Sequence, residues 1–292
     1  MRSKALLFSI LLLGGCARAT ITSVETPLPP AEQQPTPETV SPVEPDAGTG
    51  PVIPALKELP IGEELEYEIH WLGIPVGLVT MKVNRAKEGA SELSGLLELS
   101  CFGRSNKYLD AFYPVRIQLT SFFDPQSRMP RRFEASVKRR QRKHESVVTF
   151  KQEKKEAFHQ LPKGKTATVP LTSQTQDGVS LVHYSRLLPF RLGQTVPFQV
   201  TADGANWDLK ARILKINKVS LRGLKKWRAF EGDLELAYPV PFFQGAKAHL
   251  WFSADEERVP LLAKIHSRIG PVTVVLIRRS KSSLLENPDL SS

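Results

Sequence analysis

The chain has 292 residues and a formal net charge of +10, from 40 Lys and Arg against 30 Asp and Glu. A hydrophobic content of 41% supports a folded core, whereas a mean hydropathy of −0.22 excludes a polytopic membrane protein. Two cysteines exclude both a disulfide-rich scaffold and a four-cysteine zinc site. This length allows one or two domains.

The N-terminus resembles the leader of a bacterial lipoprotein. Arg2 and Lys4 give it a positive start, and the apolar run over 5–13 is too short to span a bilayer. The run ends in LGGC, which resembles the lipobox, in which the peptide is cleaved just before an acylated cysteine. We therefore expect residues 1–15 to be a signal peptide and Cys16 to carry palmitate and other acyl chains as a membrane anchor. An ordinary secretory signal that contains a cysteine is the alternative.

The residues after the cysteine indicate a location and a tether. By resemblance to lipoprotein sorting rules, Ala17 favours the outer membrane, with the protein facing the periplasm. Residues 17–60 contain ten prolines and no aromatic residue, which predicts a disordered chain with a polyproline bias. Recognition of these prolines by a partner is the alternative. The expected domains are the lipidated tether over 16–60, a β domain over 61–283 and a flexible tail over 284–292.

The predicted domain alternates between apolar and polar residues, which is typical of antiparallel strands. Apolar positions with a period of two occur at 65–71, 79–83, 97–101, 115–119, 133–137, 147–150, 198–200, 207–213, 234–238, 248–252 and 272–276. One helix is expected, capped by Asp177 and ended by Pro189, and Asp203-Gly204 predicts a hairpin turn. The fold expected is all-β and mainly antiparallel, a curved sheet closing into a barrel-like or sandwich domain. Alternation does not separate these two closures.

Five segments of this domain resemble one known family. They are GEELEY at 62–67, WLGIPVG at 71–77, LLPFRLGQ at 187–194, WFSADEERVP at 251–260 and IGPVT at 269–273. In order and spacing they resemble the bacterial domain-of-unknown-function 3108 (DUF3108) family over about 60–280. The resemblance implies a secreted or envelope β-rich domain without an assigned activity, so it carries over no catalytic residues. The proline-rich lipidated leader is not a defining part of that family.

The sharpest functional feature is a basic turn, Lys138, Arg139, Arg140, Arg142 and Lys143, expected between two strands. Such a turn can meet the phosphates of anionic lipid or lipopolysaccharide, at about 1 kcal/mol per cation. A solvated hairpin that discourages edge aggregation is the alternative. Nucleic acid is not expected, because an exported lipoprotein rarely meets it and no nucleic-acid-binding motif supports it.

An apolar segment over 238–243 contains two prolines and is therefore not a central strand. Phe242 and Phe243 lie in it and are expected to form a hydrophobic mouth if the barrel encloses a ligand. This segment is the second candidate site.

No motif for catalysis or for a cofactor is present. The six histidines lack metal-ligand spacing, and Cys101 falls on the apolar phase of its strand, which predicts a free buried thiol. Nucleophile, phosphate-loop and dinucleotide motifs are absent, so neither a metal nor a cofactor is expected. The sequence favours a non-enzymatic, membrane-anchored envelope lipoprotein that binds or scaffolds a periplasmic lipid, glycan or protein. The alternative is a hydrolase of cell-wall or lipid substrate, with carboxylates that converge from different strands.

Overall fold

A computed structural model describes residues 50–87, 93–172, 174–221, 224, 226–236, 247–267 and 270–281. The predicted acylation site Cys16 and the predicted apolar mouth at Phe242 and Phe243 lie outside these residues. Neither of the helices within the described ranges is long and apolar enough to cross a bilayer. The described part covers most of the predicted β domain and the end of the predicted tether.

The described residues are mainly strands. The first nine are β1 (Val52–Ile53), β2 (Glu63–Trp71), β3 (Ile74–Arg85), β4 (Leu97–Ser105), β5 (Val115–Asp124), β6 (Met129–Arg139), β7 (Arg142–Lys151), β8 (Glu156–Leu161) and β9 (Lys165–Pro170). The others are β10 (Thr175–Gln176), β11 (Phe190–Arg191), β12 (Thr195–Ala202), β13 (Ala205–Ser220), β14 (Lys226–Leu236), β15 (Lys247–Ser253), β16 (Pro260–Ser267) and β17 (Gly270–Lys281). The α-helices are α1 (Lys107–Asp110) and α2 (Gly178–Arg186), and short 3₁₀ turns lie at Gln152–Lys154 and Pro162–Gly164.

The alternation of the sequence decides which side of each strand faces the core. In β2, buried Leu65, Tyr67 and Ile69 alternate with three half-exposed glutamates. The same period of two recurs in β3, β5 and β6. Because successive side chains of a strand point to opposite faces, the sheet has one apolar and one polar face. The prediction of a mainly antiparallel all-β domain is confirmed.

Fifteen of the described strands form one sheet, which curls until its two ends meet. Its order is β10-β12-β13-β14-β15-β16-β17-β2-β3-β4-β5-β6-β7-β8-β9, and only the short β10–β12 pair is parallel. Asn206 Nδ2 donates to the Pro170 carbonyl at 2.6 Å, and the Gly204 N–H donates to His159 Nδ1 at 3.2 Å. These two hydrogen bonds, each with a side chain as one partner, join β8 and β9 to the β12–β13 hairpin. The described residues show no backbone pairing between strands at this place. The sheet is barrel-like, as one of the two predicted closures requires.

Helix α2 lies against the inner face of the sheet, in contact with β4, β5 and β12. Asp177 caps it by accepting from two backbone N–H groups of the first turn, and accepts from Ser121 Oγ of β5 at 2.6 Å. At its other end, Arg186 Nη1 lies 2.6 Å from Glu63 Oε2, and both side chains are at most 1% exposed. The helix predicted between Asp177 and Pro189 is confirmed, and the four-residue α1 is a second helix that the sequence did not predict.

Residues 50–60 pack on the barrel-like sheet, although the sequence assigns them to the tether. In β1, which pairs with β11, Ile53 is 2% exposed. The Arg258 guanidinium lies between the rings of Phe190 and Phe230, 4.7 and 4.9 Å from their centroids, and donates to the Ile53 carbonyl. The folded part therefore begins before residue 61. A two-residue strand that is held by distant partners shows no apolar–polar alternation. The prolines of this segment therefore led to its assignment to the tether.

Candidate functional site

Four cations stand side by side on four neighbouring strands. The register places Arg104 of β4 opposite Arg116 of β5. It then places Arg116 opposite Lys138 of β6, and Lys138 opposite Lys143 of β7. Neighbouring strands are about 4.8 Å apart, so the four cations extend over about 14 Å. We call these four residues the cationic ladder.

The cationic ladder lies on the outer face of the sheet. All four of its side chains are exposed, whereas the neighbouring Val115, Ile117 and Val137 point into the core. Like charges directly opposite each other on neighbouring strands destabilise a sheet. The ladder contains three such contacts in succession, so it lowers the stability of the folded chain.

Acidic neighbours compensate only part of this charge. Arg116 holds Asp110 through two hydrogen bonds of 2.9 and 2.6 Å and lowers the pKa of that carboxyl to about 2. Lys143 Nζ lies 2.7 Å from Glu145 Oε1. No carboxylate of the described residues lies within 4.0 Å of the charged nitrogens of Arg104 or Lys138. The Arg104 charge still acts on Asp110 and helps to lower its pKa, so Lys138 is the least compensated ladder cation among the described residues.

The ladder lines a surface groove of about 430 Å³. Gln118 and Ser136 contribute an amide and a hydroxyl to the lining, and Leu78 and Phe102 contribute apolar surface. Phe102 is 38% exposed, which is unusual for a phenylalanine on the outside of a sheet. The arrangement suits a ligand that carries anionic groups next to an apolar part, since each finds its counterpart in the groove.

The predicted basic turn supplies half of this ladder. The turn lies at residues 140–141, between β6 and β7, and Lys138 and Lys143 on either side of it face the groove. Sequence reasoning missed Arg104 and Arg116, which complete the ladder. Both fall on the polar phase of predicted strands, and that phase is the signal that marks them as outward-facing.

The other cations of the predicted turn have different surroundings. Burial lowers the pKa of Arg139, which is half-buried at the end of β6. The Arg140 guanidinium lies 5.1 Å from the centre of the Tyr113 ring, and the backbone N–H of Arg140 donates to the Pro114 carbonyl. Arg142 is exposed. Arg140 therefore fixes the turn to the neighbouring segment between β4 and β5.

The free buried thiol predicted at Cys101 is confirmed. Its side chain is 0% exposed, and burial raises its pKa to about 12, which keeps it as an unreactive thiol. His159 and His183 are also buried, and desolvation lowers their pKa values to about 4 and about 3. His70 and His249 lie beside acids, Nε2 of the first 2.6 Å from a Glu68 oxygen.

Side chains of the described residues fill part of the interior of the barrel-like sheet. Helix α2 lies there with five buried side chains. A cavity of about 20 Å³ beside His159 and Thr201 has room for a single water molecule. Of these two spaces, the outer groove has room for a ligand, and we take it as the candidate site.

Comparisons with known proteins agree with this architecture. No match was found among curated proteins. The chain is similar to a solved β-barrel-like protein of domain of unknown function DUF1849 from Brucella abortus, with 11% identity and a TM-score of 0.51 over 78% of this chain and 99% of that one. A Bacteroides fragilis protein with a YmcC-like fold matches 78% of this chain and 100% of its own at 9% identity, with a TM-score of 0.31. The first of these likenesses shows the barrel-like fold alone.

The family comparison covers most of the folded part. The model of the family described as protein of unknown function (DUF3108) matches residues 66–277. This range contains the whole cationic ladder and helix α2. It is more than half of the chain, and it includes most of the segments on which the resemblance in the sequence rests. The chain belongs to the DUF3108 family.

Proposed function

We propose that the protein is a non-enzymatic, membrane-anchored envelope protein whose folded body binds an anionic partner in the groove beside the cationic ladder. The observation that carries the proposal is the register of four like charges across four strands, of which Arg104 and Lys138 form no ion pair with a described carboxylate. The partner chemistry is phosphate or carboxylate next to an apolar part. Acidic lipids, lipopolysaccharide and acidic glycans share this chemistry.

Electrostatics supports an external anion as the missing counterion. Like charges opposed on neighbouring strands each cost a few tenths of a kcal/mol up to about 1 kcal/mol. A bound polyanion replaces this repulsion by attraction along the whole ladder. Because the ladder is exposed, binding should weaken as salt screens the charges over about 10 Å at 0.1 M.

Calorimetric titration of the full chain with tripolyphosphate tests the groove. The charge reversal Arg104→Glu with Lys138→Glu should weaken binding by on the order of tenfold or more, since a charge-assisted hydrogen bond contributes about 1.5–3 kcal/mol. The matched control is Lys210→Glu with Lys218→Glu, which makes the same charge change at exposed positions of β13. The control should bind within about twofold of the natural protein. Equal weakening in both variants would refute a site at the ladder.

The anchoring part of the proposal is supported by the LGGC sequence that ends at Cys16. We expect Cys16→Ser to abolish the incorporation of labelled palmitate into the protein, because the acyl chains have no other attachment point. Cys101→Ser is the control, since that buried thiol has no part in anchoring. Incorporation of labelled palmitate into the Cys16→Ser protein would contradict the acylated anchor.

A hydrolase is the second candidate. The pair that favours it is Asp233 and His249, on β14 and β15, with Oδ1 and Nδ1 2.5 Å apart and the His266 ring 5.7 Å from that of His249. An acid beside a histidine is the arrangement that general-base catalysis uses. Release of soluble products from peptidoglycan or phospholipid by the natural protein, lost in Asp233→Asn, would support this candidate over pure binding.

A further inference from the structure

Large apolar side chains stand exposed at one end of the barrel-like sheet. Leu72 and Ile74, at the tip of the β2–β3 hairpin, are 54% and 64% exposed. Tyr108 and Phe112, in the segment between β4 and β5, are 70% and 65% exposed. We call these four residues the apolar rim. Soluble proteins seldom gather large exposed apolar side chains at one place unless something covers them.

Hydrogen bonds join these loops into one continuous surface. Asn106 Nδ2 donates to the Pro75 carbonyl at 2.6 Å, and the Asn106 N–H donates to the Val76 carbonyl at 2.9 Å. On the other side, the Arg140 N–H donates to the Pro114 carbonyl at 2.9 Å. The β2–β3 hairpin, the β4–β5 segment and the β6–β7 turn are therefore held together.

Cations surround the apolar rim. Lys107 Nζ lies 5.1 Å from the centre of the Tyr108 ring, and Arg142 is exposed on the β6–β7 turn. The cationic ladder begins directly below these loops. Two acids near these loops, Asp110 and Glu145, are paired with ladder residues, and Glu68 lies beside His70. The rim thus combines apolar tips with excess positive charge.

We propose that the apolar rim inserts into an anionic lipid bilayer, with the flanking cations at the level of the lipid phosphates. Separate aromatic and aliphatic tips on a basic surface suit the headgroup region, where apolar side chains are buried by a few ångströms and cations meet phosphate. A flat protein partner would instead require a continuous apolar patch. The opposite end of the sheet exposes one large apolar residue among those described, Val52, which is 51% exposed.

The length of chain outside the structure permits this orientation. Ile53 accepts a hydrogen bond from Arg258, in the loop between β15 and β16, so the chain enters at the end opposite the rim. The longest neighbouring strand of the rim, β3, has 12 residues and spans about 40 Å. Residues 17–50 reach at most about 110 Å when fully extended, so an anchor at residue 16 leaves the rim free to turn to the membrane.

A polarity-sensitive fluorophore at the rim tests this docking. The full chain with Ile74→Cys is labelled under native conditions and reconstituted into phosphatidylcholine vesicles with or without phosphatidylglycerol. The dye should shift to shorter wavelength and be quenched by nitroxide-labelled lipid in the vesicles that contain phosphatidylglycerol. Val52→Cys is the matched control at the opposite end and should show neither effect. The parent chain gives the background labelling, which buried Cys101 should keep low.

Two outcomes overturn the proposal. The first is the same emission at Ile74→Cys in both kinds of vesicle and in water, and the second is an equal shift at Val52→Cys. Adding Tyr108→Ser and Phe112→Ser to the labelled protein should abolish most of the shift, and an unchanged shift would also contradict insertion. The inference is separate from the groove, because these serine variants should bind tripolyphosphate as the natural protein does, whereas loss of ladder charge should weaken that binding.

Discussion

Two charged regions of the same outer face follow opposite rules. On β2, Glu64 lies 2.8 Å from Lys82 of β3 and 3.0 Å from Arg278 of β17, and Arg278 also reaches Glu66 at 2.9 Å. A few strands away, the cationic ladder places cations opposite cations on β4, β5, β6 and β7. The two regions share the sheet and a similar exposure to solvent.

The difference indicates what each region is for. Opposite charges across strands contribute roughly 0.2–1 kcal/mol per pair, and like charges cost a similar amount. The strip around β2 therefore stabilises the sheet by internal pairing. The ladder does not, and its charge is available to an external anion.

The paired strip continues into the core at Glu63, and breaking it there should have the largest effect. Glu63 is 1% exposed and holds both Arg186, at 2.6 Å, and Arg279, at 2.8 Å. Glu63→Gln leaves a buried arginine without its counter-charge, so the free energy of unfolding should fall by about 3–5 kcal/mol. Urea unfolding of the full chain measures it.

The control for this change is Glu64→Gln, one residue along the same strand. Glu64 is partly exposed, with 26% of its side chain accessible, so removing its charge should cost at most about 1 kcal/mol. Equal losses for Glu63→Gln and Glu64→Gln would contradict the assignment of the buried pair as the stronger one.

Lowering the pH should decrease the free energy of unfolding through a buried histidine, while the cations of the ladder stay charged. Desolvation, with the nearby Arg186 charge, lowers the pKa of His183 to about 3, and neither ring nitrogen has a hydrogen-bond partner in the described part. Below the unfolded pKa of about 6.5, the unfolded chain binds a proton that the folded chain does not. Stability should thus fall between pH 6.5 and 3, by about 2 kcal/mol at pH 5 from His183 alone.

Replacement of this histidine sharpens the pH prediction. His183→Leu removes a titrating group that makes no described hydrogen bond, so the decline of stability from pH 7 to pH 5 should become shallower. Buried His159, with a pKa lowered to about 4, should sustain part of the decline. A slope identical to that of the natural protein would show that His183 is not buried in its neutral form.

Neutralising cations of the ladder should change the free energy of unfolding in the opposite direction to neutralising a cation of the paired strip around β2. Arg104→Gln with Lys138→Gln removes like-charge contacts, so the free energy of unfolding at low salt should rise by about 0.2–1 kcal/mol. Lys82→Gln removes an attractive contact with Glu64 and should lower it by a similar amount. Equal losses in the two variants would mean that the ladder stabilises the sheet and that its contrast with β2 is not functional.

Much of the fold is predictable, because burial in a strand follows a period of two. The strands with apolar residues on one face, such as β2 and β5, are predicted from alternation. Strands β8 and β9 are missed. Strand β9 lies at the sheet edge, where half-buried Ala167 and Val169 alternate with exposed threonines and give only a weak apolar signal. Strand β1 is missed because two residues are too few to show an apolar–polar alternation, and because its partner β11 lies far along the chain.

The candidate site is predictable only in part. Nearby residues of a strand decide which face a side chain lies on, whereas the residue that it opposes on the next strand depends on the whole connection between the two strands. The alternation of 97–101 and 115–119 places Arg104 and Arg116 on the polar face. Which residue they oppose depends on the shape of the nine residues over 106–114, where a four-residue helix capped by Asn106 adds a turn. The Lys138–Lys143 pairing is easier to predict than the pairing of Arg104 with Arg116, because a two-residue turn at 140–141 fixes the register of β6 and β7.

Thermal unfolding tests anion binding at the cationic ladder most directly. The natural protein and Arg104→Gln with Lys138→Gln are each unfolded with and without tripolyphosphate. We expect the order of the two unfolding temperatures to reverse. The variant should unfold at the higher temperature without the ligand, and the natural protein should do so with it, because a ligand stabilises the state that binds it. A natural protein whose unfolding temperature does not rise with tripolyphosphate, or a variant that rises equally, would contradict the central claim that the ladder is an anion-binding site.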